Sequence, residues 1–138
     1  MDLTTIRNAL AAQITAQTGL AALGQPRDQV SPPVAVILPR EPLVIFGDTT
    51  DGTMTVNLQA VLILSDAAPL EKTQRALDAY LGLGSGEAVS IAAAIMADMS
   101  LGGAVNWCVP VSISSYGRVE YAGVTYFGAR LGLQLGSI

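Results

Sequence analysis

The stretch MTVNLQAVLILS, which occupies residues 54–65, decides the fold class of this protein. Its even-numbered positions are apolar throughout, whereas its odd-numbered positions change from Thr, Asn and Gln to Val and Ile. Because side chains of a β-strand alternate between two faces, this period of two predicts a long strand. One face of that strand is apolar along its length, and the other is polar at its start and apolar toward its end.

Other strands are predicted on both sides of this stretch. Upstream, residues 34–38 form a short apolar strand closed by Pro39, and residues 43–46 continue it after a kink. Downstream, the alternation predicts an antiparallel meander of three strands joined by short turns, over residues 105–114, 118–121 and 124–135.

The first of these downstream strands carries a proline. Its odd-numbered side chains, Trp107 among them, are apolar and are predicted to share the core face, with the even-numbered ones on the other face. Pro110 has no backbone N–H, so we expect the strand to lie at an edge or to contain a bulge there.

Three helices are predicted from apolar residues at helical spacing, over residues 3–18, from residues 66–69 to the glycine-rich segment 82–86, and over residues 87–98. Asp2 is the expected start signal of the first helix, and Gly19 is its expected stop. Residues 19–33, rich in glycine and proline, are predicted to form a loop.

This order of elements predicts an α+β fold. We expect a two-layer sandwich, with a mostly antiparallel sheet of four to five strands and helices packed on one face. The length of 138 residues suits one domain over residues 1–138. The second sheet face is semi-polar, so it needs water or another subunit as a partner.

The cysteine and histidine counts limit the possible chemistry. The chain has one cysteine, Cys108, and no histidine, which excludes an internal disulfide and a zinc site built from Cys and His. A nucleophilic cysteine needs a base beside it, so Cys108 is predicted to be a small buried strand residue. We expect no cofactor, no metal and no enzymatic activity.

The charge content favours protein–protein contact over other partners. Charged residues make up 13% of the chain, against about 25% in typical domains. A surface with so few charges exposes apolar area, which is typical of assembly surfaces. The seven basic residues are scattered, which disfavours stable nucleic-acid binding, and no apolar run is long enough for a membrane span.

Two turns are the candidate contact sites between subunits. The first is the polar segment 47–53, with Asp48, Thr49, Thr50 and Asp51, which lacks the ligand spacing of a calcium loop and is predicted to be a solvated turn. The second contains Tyr116 and Arg118. The segment 82–86 lacks the Lys-Ser/Thr ending of a phosphate-binding loop and is predicted to be a helix–helix joint.

Five segments carry a family resemblance: LTTIRNAL (3–10), PPVAV (32–36), DTTDGT (48–53), APLEKTQRALD (68–78) and VEYAGVTYFGA (119–129). In wording and order they resemble small connector proteins of long-tailed bacteriophages that infect actinobacteria, and in particular the tail terminators. The resemblance covers nearly the whole chain and includes no catalytic motif.

The resemblance implies a structural role. Tail terminators are small α+β proteins that assemble as hexameric rings in the host cytoplasm and are found in the virion at the tail–head joint. The ring caps the head-proximal end of the tail tube, stops tube growth and contacts the head-completion proteins. DNA passes through its central hole, so the resemblance makes the same two turns candidates for contact with that hole, and no cofactor takes part.

Three alternatives remain open at this point. The chain could be another ring of the connector, either a head-completion (stopper) protein or a tail-tube protein. It could be a small binding module that recognises a peptide or carbohydrate on the semi-polar sheet face. An enzyme is the third alternative, and the absence of a base–nucleophile pair argues against it.

Overall fold

A six-stranded sheet organises the part of the chain that the computed structural model describes, which is residues 2–26, 30–46, 54–65, 71–83 and 90–137. In chain order the elements are α1 (Leu3–Thr18), β1 (Ala21–Leu23), β2 (Val34–Phe46), β3 (Met54–Ser65), α2 (Glu71–Leu81), α3 (Ile91–Ala97), β4 (Trp107–Ser114), β5 (Val119–Tyr121) and β6 (Val124–Ser137).

The strands follow the order β1-β2-β3-β6-β4, and β5 pairs with the start of β6. Every pairing is antiparallel except that of β1 with β2, so the sheet is mixed. The α+β class is confirmed. The described residues form six strands and not the predicted four to five, because β1 is added at one edge of the sheet.

β1 is the strand that the sequence pattern does not predict. Its residues, Ala-Ala-Leu, lie between Gly19 and Gly24 and are too few to show a period. They pair in parallel with residues 34–36 of β2. The predicted loop over residues 19–33 is therefore wrong for these three residues, because pairing with a distant strand, and not local propensity, makes them a strand.

β6 lies beside three other strands. β3 pairs with β6 along almost the whole length of β6, β4 pairs with the second half of β6, and β5 pairs with the first three residues of β6. The predicted meander is therefore wrong, since β4 and β5 both pair with β6 instead of following one another across the sheet. The predicted kink in β2 is confirmed by a register shift between Pro39 and Val44.

The main core lies between the helices and one face of the sheet. The even-numbered side chains of β3 and the odd-numbered side chains of β6 from Phe127 to Leu135 enter it, as the alternation predicts. The helices contribute the buried residues Ile6, Leu10, Ile14, Leu77, Leu81, Ile91 and Ile95. Each such aliphatic side chain contributes about 1.5–3 kcal/mol on full burial, so this cluster is the main source of stability.

A second, smaller apolar cluster covers part of the opposite sheet face. Val61 and Ile63 of β3 pack there with Val34 and Val36 of β2. Val119 and Tyr121 of β5 complete the cluster. This explains the apolar end of the second face of β3: the short β5–β6 hairpin covers that end and leaves the start of β3 to polar neighbours.

β4 is shorter than predicted, and its two faces are exchanged as far as Pro110, whereas after the register shift Ile113 lies opposite the core residue Leu131, on the predicted face. It begins at Trp107 instead of residue 105, and its one fully buried side chain is Cys108. The expectation that Trp107 faces the core is wrong: the residue is 38% exposed, and its indole ring lies against Gly136, where the absence of a side chain leaves room for it. The inference from Pro110 is confirmed, because β4 ends the sheet and its register shifts between Pro110 and Ser112.

The helix ends show why each helix starts where it does. The Asp2 carboxylate accepts hydrogen bonds from the backbone of Thr4 and Thr5, and Gly19 closes α1 in the left-handed conformation, so both end signals are confirmed. The predicted third helix starts too early: Ser90 caps α3 in an extended conformation, so the helix begins at Ile91. The predicted opening of the second helix at residues 66–69 lies outside the described residues. No helix in the described ranges is long and apolar enough to cross a membrane.

Gln13 ties the first helix to the third. Its side-chain amide nitrogen donates to the carbonyl oxygens of Ala94 (2.7 Å), Ile95 (3.2 Å) and Asp98 (3.0 Å). The Ala94 and Ile95 carbonyls lie in the last turn of α3, and the Asp98 carbonyl, which also accepts a hydrogen bond from the backbone of Leu101, lies at the C-cap. A side chain 81 residues earlier in the sequence therefore caps this helix.

Replacing Gln13 by Ala is expected to destabilise the fold by about 1–2 kcal/mol, because partly buried carbonyl oxygens lose their donor. Urea denaturation at a fixed protein concentration measures this loss. Gln17→Ala is the control, since Gln17 is exposed on the same helix, and it should change the free energy of unfolding by less than about 0.5 kcal/mol. Equal stability of the two variants would show that the Gln13 cap has no energetic role.

Candidate functional site

The two turns proposed from the sequence have different outcomes. Asp48, Thr49, Thr50 and Asp51 lie outside the described residues. Tyr116 and Arg118 lie in the turn between β4 and β5, and both are exposed.

Tyr116 is held by a contact to a helix. Its hydroxyl donates a hydrogen bond to the carboxylate of Asp78 on α2. This hydrogen bond is the main factor that raises the pKa of the Tyr116 phenol, and partial desolvation raises it further, while a hydrogen bond with Gln74 acts in the opposite direction. The turn is therefore fastened to α2 and is not a free contact loop.

Removing the carboxylate in an Asp78→Ala variant is expected to lower the pKa of Tyr116. A raised pKa means that the fold favours the neutral phenol. The contact therefore stabilises the fold at pH values below the usual pKa of tyrosine, and this stabilisation is lost as the pH rises through the raised pKa. Ultraviolet difference titrations, each corrected with a Tyr116→Phe variant of the same background, isolate this one phenol. An unchanged titration in Asp78→Ala would contradict the contact.

Asp98 and Cys108 each have a structural environment. Asp98 accepts hydrogen bonds from Ser100 and from the backbone of Gly102, and these lower the pKa of its carboxyl. Burial raises the pKa of the Cys108 thiol to about 12, which keeps it protonated and unreactive, as predicted for a structural residue. No group of three or more His, Cys, Asp or Glu side chains that could hold a metal occurs among the described residues.

A polar network covers the start of β3 on the second sheet face. Asn57 is only 3% exposed, and its side chain donates to the Pro42 carbonyl (2.7 Å) and accepts from Arg40 (3.2 Å). Arg40 also donates to the carbonyl of Leu133, yet its buried Nε has no hydrogen-bond partner in the described structure. The guanidinium of Arg40 lies across Gly132 of β6, so the network extends from β2 to β6.

The outer edge of β4 forms an uncharged, apolar surface. Val111 is 46% exposed at the register shift, and Ile113 is 37% exposed two residues later. Both line an open groove of about 270 Å³ that runs between β4 and the helices, together with Leu81, Ala92, Pro110, Ser112 and Leu131. Met96, one helical turn after Ala92 on α3, is 57% exposed. We call this surface the β4 surface.

A second uncharged surface lies at the other end of the sheet. An open groove of about 570 Å³ runs between α1 and β1, and we call it the α1–β1 groove. Most of its lining side chains among the described residues are small, and none of these is charged: Asn8, Ala11, Ala12, Thr15, Ala16, Ala22, Leu23, Gly24 and Gln25. Because β1 and β4 end the sheet, these two surfaces belong to its opposite edges.

Neither surface was identified from the sequence, although each has a signal there. Residues 107–114 contain a proline and no charged residue, which is unusual for an exposed edge strand. The alanines of α1 mark a helix face that another element can approach closely.

No protein-family model matches this chain, and no curated protein matches it. The functional assignment therefore depends on the residues and surfaces described above.

Proposed function

We propose that the chain is a structural protein of a bacteriophage connector, which forms a ring at the head-proximal end of the tail tube and acts as a tail terminator. The phage connector class comes from the resemblance of the five segments. The observation that carries the ring is the pair of uncharged surfaces at the two edges of one sheet, the β4 surface and the α1–β1 groove. A chain with 13% charged residues and two such surfaces is suited to permanent contact with copies of itself.

In this role the ring ends tail polymerisation and joins the tube to the head-completion proteins, in the virion, after assembly in the host cytoplasm. Six copies of a chain with net charge −4 together carry −24. Such an acidic ring does not retain DNA phosphates, so the genome can pass through it. This role involves no reaction and needs no cofactor.

The test uses purified full-length chain and the tail-tube protein encoded beside it. We expect electron microscopy and mass photometry to show closed rings of six copies that never grow into tubes. Added to polymerising tube protein, the rings should bind one tube end and stop growth from it. Tubes formed by this chain alone would instead identify a tail-tube protein, and rings that bind only head-completion proteins would identify a stopper.

A further inference from the structure

We draw no further inference here: the strongest candidate, the exposed apolar edge of β4 around Val111 and Ile113, carries none, because nothing in the described structure shows what covers it.

Discussion

A Gly128→Ala variant is expected to lose about 3 kcal/mol of stability, a large effect for a single methyl group. A Cβ at this position would overlap the carbonyl oxygen of Leu62 and lie 2.9 Å from its carbonyl carbon. Both atoms are backbone atoms of β3, the strand paired along nearly all of β6. They cannot rotate away as a side chain can, so the two central strands must separate locally.

Urea denaturation at a fixed protein concentration measures this effect, and the thermal midpoint should fall by about 10 °C. Gly132→Ala is the matched control in the same strand. Its Cβ would meet the side chains of Ser112 and Arg40, which can move at low energetic cost. We therefore expect a loss of about 1 kcal/mol for Gly132→Ala. Similar losses for both variants would mean that β3 and β6 do not approach so closely at Gly128.

The second large effect is expected for Asn57→Ala, with a loss of about 3 kcal/mol. The substitution removes the acceptor of Arg40 and the donor to the Pro42 carbonyl in a site that is almost fully buried. Hydrogen bonds to charged groups contribute about 1.5–3 kcal/mol, and neutral ones about 1 kcal/mol. The buried Nε of the Arg40 guanidinium already has no hydrogen-bond partner in the described structure. The substitution would leave a second nitrogen of the same group without its Asn57 acceptor.

Gln59→Ala provides a close control for this prediction. Gln59 makes the same kind of contacts on the same face of β3, donating to the Pro39 carbonyl and accepting from Arg130. It is partly exposed, so water can replace the lost partners, and we expect a loss of about 1 kcal/mol or less. If Asn57→Ala were no more harmful than Gln59→Ala, burial would not be what makes the Arg40 network important.

The parts of the fold that follow from local pattern were predictable. β3, β6 and α1 have long periodic segments, and their bounds and buried faces agree with the pattern. The parts that depend on distant residues were not predictable. β1 is a strand because it pairs with β2. In β4, the exposed position of Trp107 depends on the space that Gly136 of the neighbouring strand leaves for its indole ring. In β4 polarity favours the odd-numbered face as the buried one, yet Cys108 is buried and Trp107 is exposed, so polarity alone gave the wrong face at the start of this strand.

The candidate site was less predictable than the fold. Exposed polar loops often carry function, and Tyr116 lies in such a turn, but its hydroxyl is hydrogen-bonded to Asp78 on α2. The two edge surfaces are made largely of alanine, valine and isoleucine, which in a sequence look the same as core residues. Their exposure follows from the strand order, because an apolar strand at the edge of a sheet has no neighbour to cover it.

The buried thiol makes the chain its own reporter of opening at the β4 edge. Cys108 is the single cysteine, so a thiol reagent gives a signal from one site only. Because the side chain is fully buried and its thiol protonated, labelling requires the strand to open, and the labelling rate measures how often it does so. A copy packed against β4 would hold the strand closed, so slower labelling at higher protein concentration would follow subunit assembly in solution without any added probe.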